Sequence, residues 1–162
     1  MTKTAYSFRT TRTPVGSLKL VASDAALIAI LWENDDPKRV RLGDLSEDMG
    51  NPILRMTSDQ LSEYFAGART SFDIPLDFIG TPFQKLVWSE LLKIPFGETR
   101  SYAQIAMAVG RPTAFRAVGA ANGRNPISIV APCHRVIGKN GSLTGFAGGL
   151  EAKQCLLGIE TK

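Results

Sequence analysis

The sequence predicts an α/β protein in two parts, and three observations carry that reading. The first half holds apolar runs of strand length, the second holds helix-capping signals one after another, and the charge divides between them. Residues 1–79 carry nine Lys/Arg against eleven Asp/Glu and residues 80–162 carry ten against four, within a net charge of only +4. We therefore expect an N-terminal α/β domain over 1–78 and a mainly helical, basic domain over 79–162. A basic surface of this kind suits a polyanion, nucleic acid being the usual one, and a solvated face is its plain alternative.

The expected elements follow in order. Ala5 to Thr10, Ser17 to Ala22 and Ala26 to Trp32 read as strands of a small antiparallel sheet, with a turn at Pro14-Val15-Gly16. The charged stretch Glu33 to Asp48 reads as a surface connection holding a short helix. Asn51-Pro52 then offers an N-cap followed by proline at the first helical position, with Ile53, Leu54, Leu61, Tyr64 and Phe65 on one face before Gly67. Phe72 to Phe78 reads as an extended connection.

Thr81-Pro82 repeats the cap-then-proline signal, and Phe83, Leu86, Val87, Leu91 and Ile94 mark a buried stripe. Ser101-Tyr102-Ala103-Gln104 fits a capping box and opens a helix that stops at Gly110. After Arg111-Pro112-Thr113 a further helix runs from Ala114 to Asn122, so the pair is a helix-turn-helix candidate. The second helix is built of small residues, with Arg116 and Arg124 projecting from it. Tight helix packing explains small residues alone; with the basic imbalance, contact with DNA becomes the better reading. Beyond it, Gly138 to Ser142 carries an Asn-Gly turn signal, and Thr144 to Gly149 forms a glycine-rich loop.

The chemistry concentrates in one place. The single histidine, His134, follows directly after Cys133, one of two cysteines, in Ala131-Pro132-Cys133-His134-Arg135-Val136. A thiol is a poor nucleophile until ionised, and imidazole takes a proton near neutrality, so the pair reads as an activated cysteine. A small buried thiol beside a structural histidine is the competing reading, because neighbours along a strand point to opposite faces. Glu98, Glu151 and Glu160 are equal candidates for a carboxylate that orients the imidazole. One His and two Cys supply no ligand set for zinc, and no metal or other cofactor is expected. No apolar run reaches the length of a membrane span and Met1 to Thr13 lacks the apolar core of a signal peptide, so a cytoplasmic protein without membrane attachment is expected.

The string from Asn125 to Ile137, with Arg116-Ala117-Val118-Gly119 before it and Gly145 to Leu150 after it, resembles the O6-alkylguanine-DNA alkyltransferases. The Pro-Cys-His-Arg-Val motif is specific to that family, and the resemblance runs from about Thr81 to Glu160. It implies a ribonuclease-H-like N-terminal α/β domain and a helical C-terminal domain with a helix-turn-helix, winged-helix-like.

By the same resemblance Cys133 is the acceptor that takes an alkyl group irreversibly from O6 of guanine, and from O4 of thymine, once per molecule. His134 is the activating base, acting through a water, and Glu160 holds the imidazole. Asn125 braces the turn before the active-site segment, and Tyr102 helps to rotate the nucleotide, which must be extruded from the duplex for its O6 to be reached. Arg116 fills the gap left behind. Arg116, Tyr102, Ala114, Ala117, Asn122, Arg124 and Arg135 are the expected DNA contacts. Tyr102, Val130, Phe146, Ala147 and Lys153 are the expected lining of the base pocket, with Tyr102 or Lys153 supporting protonation of the leaving guanine. The implied partner is double-stranded DNA carrying O6-alkylguanine, bound by a monomer. Phe146 stands where some members have Tyr, Ala147 where some have Ser, and Cys155 where an aromatic is common; Cys155 reads as a buried helical thiol. A thiol hydrolase and a lesion-binding regulator are the alternatives the Cys-His pair leaves.

Overall fold

The computed structural model describes residues 5–138, 141 and 146–161. The chain divides into two compact units, Met1–Phe78 and Ile79–Lys162.

In the first unit, β1 (Tyr6–Thr13) and β2 (Gly16–Ala22) form a hairpin closed by Thr13, whose hydroxyl donates to the Gly16 carbonyl at 2.8 Å and accepts from Val15 N at 3.1 Å. Gly16 sits at φ 103°, in the region a side chain disfavours. β3 (Leu27–Leu31) pairs antiparallel with β2, and a short β4 (Leu45–Glu47) pairs parallel with β1, giving the order β3-β2-β1-β4. Helix α1 (Pro52–Phe65) packs against β1 and β2. It starts as the sequence predicts, the Asn51 side chain accepting from the amides of Ile53 and Leu54.

Glu33 to Asp48 differs from expectation. It contains no helix; it carries β4, and Val40, Leu42 and Leu45 pack against the buried cluster of Val21, Ile28 and Ala29. Three apolar residues scattered among charges have no helical or alternating period to read. Residues 72–78 are also more than a connection: Leu27 N donates to the Pro75 carbonyl and Asp77 N to the Leu27 carbonyl, so the segment is stitched to the start of β3.

The second unit is mainly helical. Helix α2 (Pro82–Leu91) and helix α3 (Tyr102–Ala108) both open on complete capping boxes, from Thr81 with Gln84 and from Ser101 with Gln104. Helix α4 (Phe115–Gly123) follows α3 after a short turn, β5 (Arg100–Ser101) pairs parallel with β6 (Val136–Ile137), and α5 (Leu150–Glu160) closes the unit. On α2, Leu86 is exposed and the inward stripe is Val87, Trp88, Leu91 and Ile94. Trp88 belongs there because its indole N–H donates to the Ala121 carbonyl at 2.8 Å, tying α2 to α4. Gly80 is required beneath it, since a Cβ would fall 2.5 Å from the Trp88 ring. The Asn-Gly turn and the start of the glycine-rich loop lie, for the most part, outside the described residues.

Candidate active site

Helix α4 ends at Gly123, and the chain then turns sharply into the cysteine segment. Asn125 is buried in that corner, its Nδ2 donating to the Ala131 carbonyl at 2.8 Å and its Oδ1 accepting from Ile127 N at 3.0 Å. Between these clips the backbone folds tightly, with Val130 N on the Ser128 carbonyl and Ala131 N on the Ile127 carbonyl. Ile129 takes φ 74°, a left-handed conformation costing a β-branched residue about 1–3 kcal/mol, which the two Asn125 bonds and complete burial hold in place.

The turn delivers Pro132 and then a single 3-10 turn, Cys133–Arg135. Cys133 and His134 therefore stand about 120° apart around a 3-10 axis and not on the opposite faces a strand would give them. Both are buried, and so is Arg135. Helix α5 packs against this turn and brings Glu160 to it. His134 Nε2 lies 2.7 Å from Glu160 Oε2, while Arg135 donates from Nε to Oε1 at 2.7 Å and from Nη2 to Oε2 at 3.0 Å. Arg135 Nη1 also donates to the Ile94 carbonyl at 2.6 Å.

This arrangement fixes the proton on the imidazole. A carboxylate held by a bidentate guanidinium is an acceptor only, so Nε2 carries the hydrogen and Nδ1 keeps the lone pair. Nδ1 is buried and meets no hydrogen-bond partner among the described residues. Burial pushes the His134 pKa below its usual value, with the Glu160 hydrogen bond and charge opposing, so the ring is a neutral base. Lys153 is fully buried, donates from Nζ to the Val136 carbonyl at 2.7 Å and stands 6.0 Å from the centre of the Phe146 ring. Burial lowers its pKa and the neighbouring Cys133 charge raises it.

Of the expected DNA contacts, Arg116, Ala117 and Arg124 are exposed along α4 and Ala114 is half-buried at its start. Tyr102, half-buried, lays its ring against Gly119 on α4, 3.8 Å from where a Cβ would stand. Two expectations are corrected. Arg135 is only 7% exposed, and its Nε, Nη1 and Nη2 each donate inward, to Glu160 and the Ile94 carbonyl, so it braces the site from within. Asn122, 5% exposed, points its Nδ2 at the Cys133 carbonyl 3.5 Å away and does not reach the surface. Of the expected pocket lining, Val130 is buried and Phe146 and Ala147 are half-buried; Cys155 is half-buried too, not buried. The internal role of Arg135 had a signal in the sequence: it is the one charged residue in an otherwise uncharged run from Asn125 to Gly138.

Residues 6–78 match the family model of the 6-O-methylguanine DNA methyltransferase ribonuclease-like domain, and residues 82–162 match that of the DNA binding domain. The chain belongs to the 6-O-methylguanine DNA methyltransferase family. Among its relatives, the methylated-DNA–protein-cysteine methyltransferase of Mycobacterium tuberculosis is 47% identical over 155 residues, covering 94% of this chain and 91% of the relative. The constitutive methylated-DNA–protein-cysteine methyltransferase of Bacillus subtilis is 46% identical over 160 residues, covering 94% of each. Among solved structures, Mycobacterium tuberculosis OGT in complex with DNA superposes with a TM-score of 0.88 at 46% identity, covering 96% of this chain and 92% of that one. This methyltransferase family membership spans both units, so the N-terminal sheet belongs to the family's architecture as much as the cysteine turn does.

Proposed function

We propose that this chain repairs DNA by moving an alkyl group from O6 of guanine in a duplex to Cys133, once per molecule. The observation that supports it most directly is the buried Nδ1 of His134, which has no hydrogen-bond partner among the described residues and is left basic by the Glu160 carboxylate on the other side of the ring. The Cys133 thiol gives its proton to this base through a water, and the thiolate attacks the alkyl carbon. A carbon–sulfur bond forms as the carbon–O6 bond breaks, and the guanine leaves with a proton delivered to it by the site. The product is a thioether, which no other group described here would reverse.

The partner is double-stranded DNA. Helices α3 and α4 act as a helix-turn-helix, with α4 laid in a groove through its small residues and the guanine turned out of the stack into the space before Cys133. Arg116 enters the duplex in its place, Tyr102 steers the rotating nucleotide, and Arg124 meets a phosphate. Val130, Phe146, Ala147 and Lys153 wall the pocket, and Lys153 supports the proton transfer to the leaving base. A readout limited to phosphates and groove shape suits a protein that must find damage in any sequence.

The test is equimolar incubation with a duplex oligonucleotide carrying O6-methylguanine, followed by nucleoside analysis. We expect the lesion to become guanine in molar proportion to protein; an unchanged lesion would contradict the proposal. A thiol hydrolase would instead turn over an acyl ester repeatedly, and the family does not favour it.

A further inference from the structure

Phe115 opens helix α4 immediately before Arg116 and is 48% exposed. The inward residues of that helix are Val118, Ala121 and Asn122, and apart from Arg116 the rest of its outer face is small. A large aromatic ring therefore stands out from a surface made of alanine, glycine and arginine. Residues 111–124 contain Arg111, Arg116 and Arg124 and no acidic residue, so the charge around the ring suits a polyanion such as a nucleic-acid backbone.

We propose that Phe115 enters the duplex beside Arg116 as a second, apolar wedge, holding open the base step next to the extruded guanine. This rests on the DNA-repair reading above and deepens it. Turning a nucleotide out of a duplex breaks its stacking on both neighbours, and one guanidinium fills the vacancy without restoring an apolar surface to the bases beside it. Apolar side chains inserted between base steps do that in proteins that open or bend the minor groove. Successive residues on a helix diverge by roughly 100°, so two consecutive side chains at its first turn address neighbouring steps, not the same one.

The test compares the full-length wild type, Phe115→Ala and Phe115→Leu by single-turnover transfer from an O6-methylguanine duplex, the same single strand, and free O6-benzylguanine. For Phe115→Ala we expect the duplex rate divided by the free-base rate to fall about tenfold, as loss of one wedge should give, and the single-strand ratio to fall less. Phe115→Leu, which keeps an apolar wedge, should retain most of the duplex rate. An unchanged duplex ratio in Phe115→Ala overturns the proposal, as does a free-base rate that falls in step with the duplex rate, which marks a structural role. A wild type that reacts with none of the three substrates overturns the repair reading itself, and the wedge with it.

Discussion

Oε2 of Glu160 accepts from both His134 Nε2, at 2.7 Å, and Arg135 Nη2, at 3.0 Å, so one buried oxygen joins the base to the cation that anchors its carboxylate. Glu160→Gln removes the obligate acceptor and lets the imidazole take the wrong tautomer. We expect transfer from free O6-benzylguanine to slow by about a hundredfold in the folded variant, within the range of general-base effects, and the fold to lose stability because Arg135 is left buried without its charged partner. Single-turnover kinetics with a circular dichroism melt of the variant checks both halves.

Arg135 is a stability residue on this account. Arg135→Leu leaves the Glu160 carboxylate buried without its main partner, and removal of one member of a buried ion pair costs about 3–5 kcal/mol. Urea denaturation should show that loss in the second unit. The salt dependence of duplex binding, measured on folded protein, should stay that of the wild type if the buried Arg135, held by Glu160 and the Ile94 carbonyl, meets no phosphate.

Arg116 is the contrasting case. Arg116→Ala should impair transfer within duplex DNA by tenfold or so and transfer from free O6-benzylguanine far less, since filling the gap matters only when a base must be turned out. Equal losses on the two substrates would remove Arg116 from this role.

These contrasts show what the sequence could and could not say. Caps at Asn51, Thr81 and Ser101 were legible because proline or a Gln three residues on marks a helix start locally. Strand β4 was not, because three residues pair with β1 through backbone bonds that need no apolar pattern. Cys133 and His134 stood out as residue types, and adjacency put them in one segment. Glu160, 26 residues further on, was one of three equal carboxylates on residue chemistry alone; the family resemblance singled it out, and the packing of α5 on the cysteine turn brings it to His134. Arg135 and Asn122 were expected at the DNA by the family resemblance, which does not report burial. Both are buried, where their polarity serves Glu160 and the Cys133 carbonyl.

Acid should destabilise the fold through His134. Burial lowers its folded pKa from 6.5, so between that lowered value and 6.5 the unfolded chain binds more protons. This group's contribution is therefore complete above 6.5 and declines as pH falls toward the folded value. Thermal melts from pH 7.5 to 5 should show the decline, and His134→Gln should flatten it.

The central claim is that Cys133 keeps the alkyl group. Intact-mass analysis after exposure to a duplex carrying O6-methylguanine, followed by peptide mapping, tests it most directly. One methyl group per chain, located on Cys133 and absent from Cys133→Ala that still binds the lesion duplex, is the predicted result. An unmodified protein beside a repaired lesion, or a methyl group on Cys155, would contradict it.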